Sequence, residues 1–249
     1  MPESYYRPKS IQEALQILSN TDKHYLPLGG GSVISQMHDE DVAVVDLADL
    51  DLGRIETNGN FLDIGATATL NRLYHNPDLL RGLAAPIYRE ASFNIRQQAS
   101  IAGSIVSADG RSPLAVALMA LDAEVVWMPK LVKQRIGEWF SLRQPAGKFI
   151  VTIRIPLNVT LGYESVARTP LDLPIVCVAV SRWPSGRVRV ALGGIGKNPV
   201  LALDGPEAGG AADSVRNAFA QAGDQWASAE YRQDVAEKLV LRILKQMGL

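Results

Sequence analysis

Two short stretches of this sequence bare their main chain in a way that suits an anion. Leu28-Gly29-Gly30-Gly31-Ser32, running on to Val33, follows the strand-like Tyr25-Leu26-Pro27-Leu28. Three consecutive glycines reach positive φ and expose successive N–H groups. Such a concavity suits phosphate oxygens, because no Cβ holds the anion away. A flexible turn has the same composition, and the residues alone leave both readings open. The second stretch is Ser100-Ile101-Ala102-Gly103-Ser104, continuing through Asp109 to Ser112. Its small residues allow close approach, and Ser100 and Ser104 add hydroxyl donors. It feeds the helix opening at Pro113, whose N-terminus favours negative charge. Asp109 could accept hydrogen bonds from ribose hydroxyls. A solvated loop with an Asp109-Gly110 turn is the alternative.

Other chemistry is sparse. Gly193-Gly194-Ile195-Gly196-Lys197-Asn198 looks like a phosphate loop, but Ala191 and Asn198 stand where the Walker pattern needs glycine and Ser or Thr. Ile34 occupies the last glycine position of the dinucleotide fingerprint, so that motif also fails. There is no G-x-S-x-G elbow. Cys177 lies in an apolar strand pattern, where a thiol is inert. A single cysteine excludes an intrachain disulfide framework and any Cys-only metal or iron–sulfur site within this chain. His24, His38 and His75 have no ligand spacing, which argues against a protein-built zinc site. Main chain suited to phosphate, with little acid–base machinery, suggests a protein holding a cofactor whose own chemistry does the work.

The composition bounds the class. The chain has 249 residues, 47% hydrophobic and 20% charged, with 25 basic against 26 acidic side chains. That is ordinary globular composition, with no global pull toward nucleic acid, anionic lipid or acidic substrates. No apolar run approaches the ~20 residues of a membrane span. Met1-Pro2-Glu3-Ser4 lacks a secretory signal's basic and apolar regions, so a cytoplasmic protein in a reducing compartment is expected.

The elements that must position these stretches follow from pattern. Ser10 and Glu13 form a capping box ahead of Ile11, Ala14, Leu15 and Leu18 at helical spacing. Strands are expected at 25–28, 42–47, 61–66, 123–128 and 150–155. Helical pattern starts at Thr69, breaks at Pro77 and resumes over 78–93, and 97–112 reads as a small polar loop. Ser112 and Pro113 are N-cap and first residue of a helix through Leu121. Beyond Asn158 come a buried strand over 174–180, a turn at Trp183-Pro184-Ser185-Gly186, a return strand over 187–192, a loop over 204–212 and a long helix capped by Ser228. The boundary is expected near Asn158, with an α+β region before it and a smaller hairpin-plus-helix region after it.

In order along the chain, further motifs carry a resemblance. Tyr6-Arg7-Pro8-Lys9-Ser10-Ile11-Gln12-Glu13-Ala14 resembles the opening of the FAD-binding medium subunits of molybdenum hydroxylases, the xanthine dehydrogenase and aerobic carbon monoxide dehydrogenase family. Leu28 to Ser32 resembles their first flavin loop, and Ile64-Gly65-Ala66-Thr67-Ala68-Thr69-Leu70 their I-G-A strand. Ile95-Arg96-Gln97-Gln98-Ala99-Ser100-Ile101-Ala102-Gly103-Ser104 is similar to I-R-N-x-A-T-I-G-G-N. Gly147 to Pro156 resembles G-E-L-I-T-E-I-R-I-P, and Ser228-Ala229-Glu230-Tyr231-Arg232 fits the family's C-terminal domain. Three departures stand out: Ala102 for the usual glycine, Ser104 for the commoner Asn, and Pro113 for an acidic residue.

The resemblance implies a two-subdomain FAD-binding fold of the vanillyl-alcohol oxidase-like type over 1–157, split near 56, followed by a small α/β domain over 158–249. It implies FAD, with the pyrophosphate held by Leu28, Gly29, Gly30, Gly31, Ser32, Val33, Ser100, Ile101, Ala102, Gly103 and Ser104, and Asp109 a polar partner. It implies partner subunits, one with [2Fe–2S] clusters and a large one with molybdopterin, and NAD, oxygen or a quinone-type compound as electron acceptor. Two other readings stay open. One is a structural subunit without FAD, motivated by Ala102 and Pro113. The other is a free-standing flavin oxidase.

Overall fold

Val42-Ala43-Val44-Val45-Asp46 is buried at every position, as expected of a strand covered on both faces of a parallel sheet. The computed structural model, which describes residues 4–34, 42–145, 147–170 and 172–249, bears this out. The chain runs β1 (Ser4–Tyr6), α1 (Ile11–Ile17), β2 (His24–Leu28), β3 (Val42–Asp46), β4 (Ile55–Asn58), β5 (Phe61–Gly65), α2 (Leu70–Tyr74), α3 (Ala84–Glu90), α4 (Phe93–Gln98), α5 (Ile101–Ser107) and α6 (Pro113–Ala120). It continues with β6 (Glu124–Met128), β7 (Val132–Arg135), α7 (Ile136–Leu142), β8 (Phe149–Pro156), β9 (Thr160–Val166), β10 (Val176–Arg182), β11 (Val188–Gly193), β12 (Val200–Gly205), α8 (Ala211–Ala218) and α9 (Ala229–Gln246). These elements gather into two units. The first comprises Met1–Pro77, Phe93–Ser107 and Glu124–Arg154; the second comprises Asp78–Ser92, Ala108–Ala123 and Ile155–Leu249.

In the first unit β3 is the centre of a three-stranded sheet, parallel to both β1 and β2. A second sheet has the order β4-β5-β8-β6-β7. Ala14, Leu18, Val45, Leu47, Val126, Phe149 and Val151 form one core cluster, so α1 and both sheets share apolar side chains. The helix start is as expected: the Glu13 amide donates to Ser10 Oγ, and the Glu13 carboxylate reaches back to the Lys9 amide at 2.7 Å. Asp63 and Arg154 pair across β5 and β8 through two hydrogen bonds of 2.5 and 2.7 Å.

The second unit is built on an antiparallel sheet ordered β12-β11-β10-β9. Val176, Val178, Val180, Val188, Val190 and Leu192 pack with Val215 and Phe219 of α8 and with Leu239, Val240 and Ile243 of α9. The alternate residues meet α6: Ser181 Oγ donates to the Ala120 carbonyl and Arg189 to the Met119 carbonyl. Both faces of β10 and β11 are thus covered, which explains their unbroken apolar runs. All eight residues of α6 are buried.

The structure corrects the expected loop over 97–112. Its first two-thirds are the end of α4 and the whole of α5. Ile101 and Ile105, one helical turn apart, are both buried, and their packing overrides the weak helix propensity of Ala102-Gly103-Ser104. The C-terminal region is also more than a hairpin with a helix, because β9, β12 and α8 complete it.

Candidate functional site

The glycine triplet leaves its sheet where β2 ends. The Leu47 amide donates to the Leu28 carbonyl at 3.0 Å, and the chain then departs through Gly29, Gly30 and Gly31. Facing it is the Gln98–Ile101 segment, held from behind by the Ala66–Leu70 segment. Ser100 bridges Thr69, the Leu70 amide donates to the Ala99 carbonyl, and the Ile101 amide donates to the Ala68 carbonyl, each at 2.9 Å. A bond of 3.0 Å from the Ala66 amide to the Val151 carbonyl ties that support to β8. The two stretches expected to act together therefore do meet, within one unit.

They meet so closely that side chains are excluded. A Cβ on Gly30 would stand 1.8 Å from the Gln98 carbonyl oxygen, and one on Gly29 would stand 2.3 Å from Ser100 Oγ. Real Cβ atoms essentially never come within 3.0 Å of such neighbours. Gly31 adds a φ of 73°, which L side chains rarely adopt. Among the described residues, the Gly29, Gly30 and Gly31 amides make no hydrogen bond to the rest of the chain. They are half-buried donors, and such donors call for a partner. Leu28 and Ser32 are also half-buried, while Val33 is 42% exposed.

The second stretch is less available than its sequence suggests. The Ile101 amide is used by Ala68, the Ala102 amide by the Ala66 carbonyl at 3.2 Å, the Gly103 amide by Ser100 Oγ at 3.2 Å, and the Ser104 amide by the Ser100 carbonyl at 2.9 Å. These four N–H groups already have acceptors within the chain. The segment offers the Ser100 amide, the Ser104 hydroxyl and a wall of small residues. Fit to a diphosphate therefore rests on the glycine triplet, a cradle that a Cβ would fill and whose amides are uncommitted.

Asp109 belongs to the second unit. It is exposed, and its Oδ1 accepts from the Arg111 amide at 2.7 Å. The Ser112 amide closes the turn on the Asp109 carbonyl at 3.3 Å. Gly110 is buried and paired both ways with the glycine-rich loop after β11: its amide donates to the Gly196 carbonyl, and its carbonyl accepts from Gly194. A Cβ on Gly110 would lie 2.0 Å from the Ile195 carbonyl oxygen. The loop that fails the Walker pattern is thus the bed on which the Asp109 turn lies. Arg111 spans to the Leu173 and Pro174 carbonyls and stands 5.5 Å from the Trp226 ring centre.

Sequence reasoning missed Glu90, at the end of α3. Its carboxylate accepts from Ser112 Oγ and from the Leu114 amide, all at 2.9 Å. Burial pushes it up to about 7, against the pull of those two donors. Only the amide that Pro113 cannot supply and the free first turn of α6 hinted at such a partner. Cys177 is fully buried, and burial pushes its thiol up to about 12, so it is no nucleophile.

Among the described residues, no helix is long and apolar enough to cross a membrane. Residues 1–158 match the family described as the FAD binding domain in molybdopterin dehydrogenase. The chain is 27% identical to the carbon monoxide dehydrogenase medium chain of Afipia carboxidovorans, covering 97% of this chain and 95% of that one. It is 24% identical to the glyceraldehyde dehydrogenase medium chain of Sulfolobus acidocaldarius, covering 98% of each. Its fold matches a structure of reconstituted CO dehydrogenase from Oligotropha carboxidovorans with a TM-score of 0.80 at 25% identity, covering 97% and 96% of the two chains. With the family match spanning more than half of the chain and medium chains similar to it along nearly their whole length, the conclusion is direct: this chain belongs to the FAD-binding domain family of molybdopterin dehydrogenases and is an FAD-binding oxidoreductase subunit of that family.

Proposed function

We propose that the chain is the electron-transfer flavoprotein of a molybdenum-containing hydroxylase or dehydrogenase, working beside a [2Fe–2S] subunit and a large molybdopterin-binding subunit. When bound, the isoalloxazine of FAD supplies the electron-accepting and electron-donating chemistry. The chain's own task is to hold it. The Gly29, Gly30 and Gly31 amides would take the diphosphate oxygens, with Ser32 and Val33 continuing the loop. Ser100, Ile101, Ala102, Gly103 and Ser104 would wall the opposite side, with the Ser104 hydroxyl as a donor. Asp109 would be a polar partner of the dinucleotide. The single cysteine supports the division of labour, because a cluster needing four thiolates must be bound by another chain. NAD, oxygen or a quinone-type compound would be the final acceptor.

The observation that carries this reading is the contact of Gly29 and Gly30 with Gln98 and Ser100, which leaves bare amides where an anion would lie. Gly30→Ala tests it. The added methyl must push the loop off the Gln98 carbonyl, so FAD affinity should fall by at least about tenfold, an interaction loss of roughly 1.4 kcal/mol. Circular dichroism should stay unchanged, since the loop lies outside the sheets. Unaltered FAD affinity would remove the assigned role of the triplet.

A further inference from the structure

At the carboxyl edge of the first unit's parallel sheet, β3 ends on Asp46, in register with Leu28, the last residue before the glycine triplet. Aspartate is a poor strand former and is seldom buried without partners, yet this residue is 8% exposed. Its two oxygens hold two different elements. Oδ2 accepts from the Tyr5 hydroxyl of β1, with Arg7 Nε 4.0 Å away. Oδ1 accepts from the Ala48 amide at 3.0 Å and so closes the turn that follows β3. Leu47 lies inside that turn, and its amide donates to the Leu28 carbonyl, from which the triplet departs. The Leu47 side chain is held separately, in the core with Ala14 and Val45. That packing fixes its depth, whereas the turn fixes where its amide points.

We propose that Asp46 is a positioning residue for FAD binding: by tying the turn after β3 to Tyr5 and to its own strand end, it holds the Leu47 amide and thereby sets where the glycine triplet leaves the sheet. This rests on the reading of the triplet as the diphosphate cradle. All the residues involved, from Tyr5 through Leu28 and the triplet to Ala48, lie in the first unit. A loop held in place before its ligand arrives loses less freedom on binding, so affinity depends on the anchor as well as on the amides. Asp46→Ala removes both acceptor oxygens and releases the Ala48 amide and the Tyr5 hydroxyl together. Asp46→Asn keeps Oδ1 for Ala48 and offers an NH2 group that can donate to the Tyr5 oxygen, so both ties survive. Tyr5→Phe releases the tie to β1 alone.

The test titrates the full chain with FAD by flavin fluorescence, at a temperature where circular dichroism shows every variant folded. Asp46→Ala should weaken FAD binding about fivefold, the effect of one hydrogen bond. Asp46→Asn should stay within about twofold of the wild type, because it rescues both ties. Asp46→Ala combined with Gly30→Ala should bind no more than about twofold weaker than Gly30→Ala alone, because Asp46 acts through the triplet. A merely structural Asp46 would lower the melting temperature of Asp46→Ala and leave the FAD affinity of the folded chain at the wild-type value. That result, an equal loss in Asp46→Asn, or full multiplication with Gly30→Ala overturns the inference while the triplet keeps its role. Wild-type affinity in Gly30→Ala overturns the reading of the triplet, and the inference falls with it. Should Asp46→Ala fail to fold, Tyr5→Phe, which alters a side chain on an exposed residue, enters the same cycle with an expected weakening of about threefold. Wild-type affinity there overturns the inference equally.

Discussion

Glu90 makes a prediction about stability. Its carboxyl is raised in the folded chain to about 7 from an ordinary 4.5. The folded state therefore holds this proton more tightly than the unfolded state does. The associated stability is fully present below about 4.5 and is lost as pH rises through about 7. Carboxylates pulled down by arginine act in the opposite sense and at lower pH. Asp63 beside Arg154 and Asp204 beside Arg187 contribute stability above the ordinary 3.8, and it is lost on acidification below that. Denaturant unfolding of the wild type and Glu90→Gln at pH 5 and pH 8 separates the two. The wild type should lose stability relative to the variant between these values, by about 1–3 kcal/mol. A difference that is constant with pH would show that Glu90 does not titrate there. At this scale the sequence was partly legible. Three adjacent glycines announced bare main chain, and the structure gives the reason at two of them, because a Cβ on Gly29 or Gly30 would strike Ser100 or Gln98. That Gln98 supplies the opposing carbonyl was not, because nothing local to residue 98 says what lies across from it.

Among the elements, α6 depends most on its surroundings. It is apolar on every side, so its sequence marks a helix start through Ser112 and Pro113 but not a face. The structure supplies the reason, with β10 and β11 on one side and α3 on another. Leu118 is 1% exposed at its centre. Leu118→Ala should cost about 2–5 kcal/mol, since a helix pinned on several sides cannot collapse into the gap. Chemical denaturation would check this, and a loss below about 1 kcal/mol would mean that the α6 contact is loose. Strands with buried alternation, such as β5 and β8, were readable. The strand β4 was not, because Ile55-Glu56-Thr57-Asn58 is a mostly polar edge, although Gly59-Asn60 is the two-residue loop that joins it to β5. The helix α5 was hidden by its small residues, and only the spacing of Ile101 and Ile105 pointed to it.

Across the whole molecule, the chain order conceals the grouping. Residues 78–92 and 108–123 precede the expected boundary at Asn158, yet they pack with the C-terminal sheet. Glu90 and the Asp109 turn both travel with these segments, so their partnership with each other and with the loop after β11 could not be read from local pattern. What was legible at this scale was the ordered series of family motifs, and the match over residues 1–158 bears that out. Those motifs record a requirement to hold one cofactor, and the account stands on that requirement. The direct measurement is titration of the purified full-length chain with FAD, followed by flavin absorption and fluorescence after removal of unbound ligand. The account predicts a yellow protein retaining one FAD per chain, released when Gly30 becomes alanine. A colourless, folded chain that retains none would contradict it.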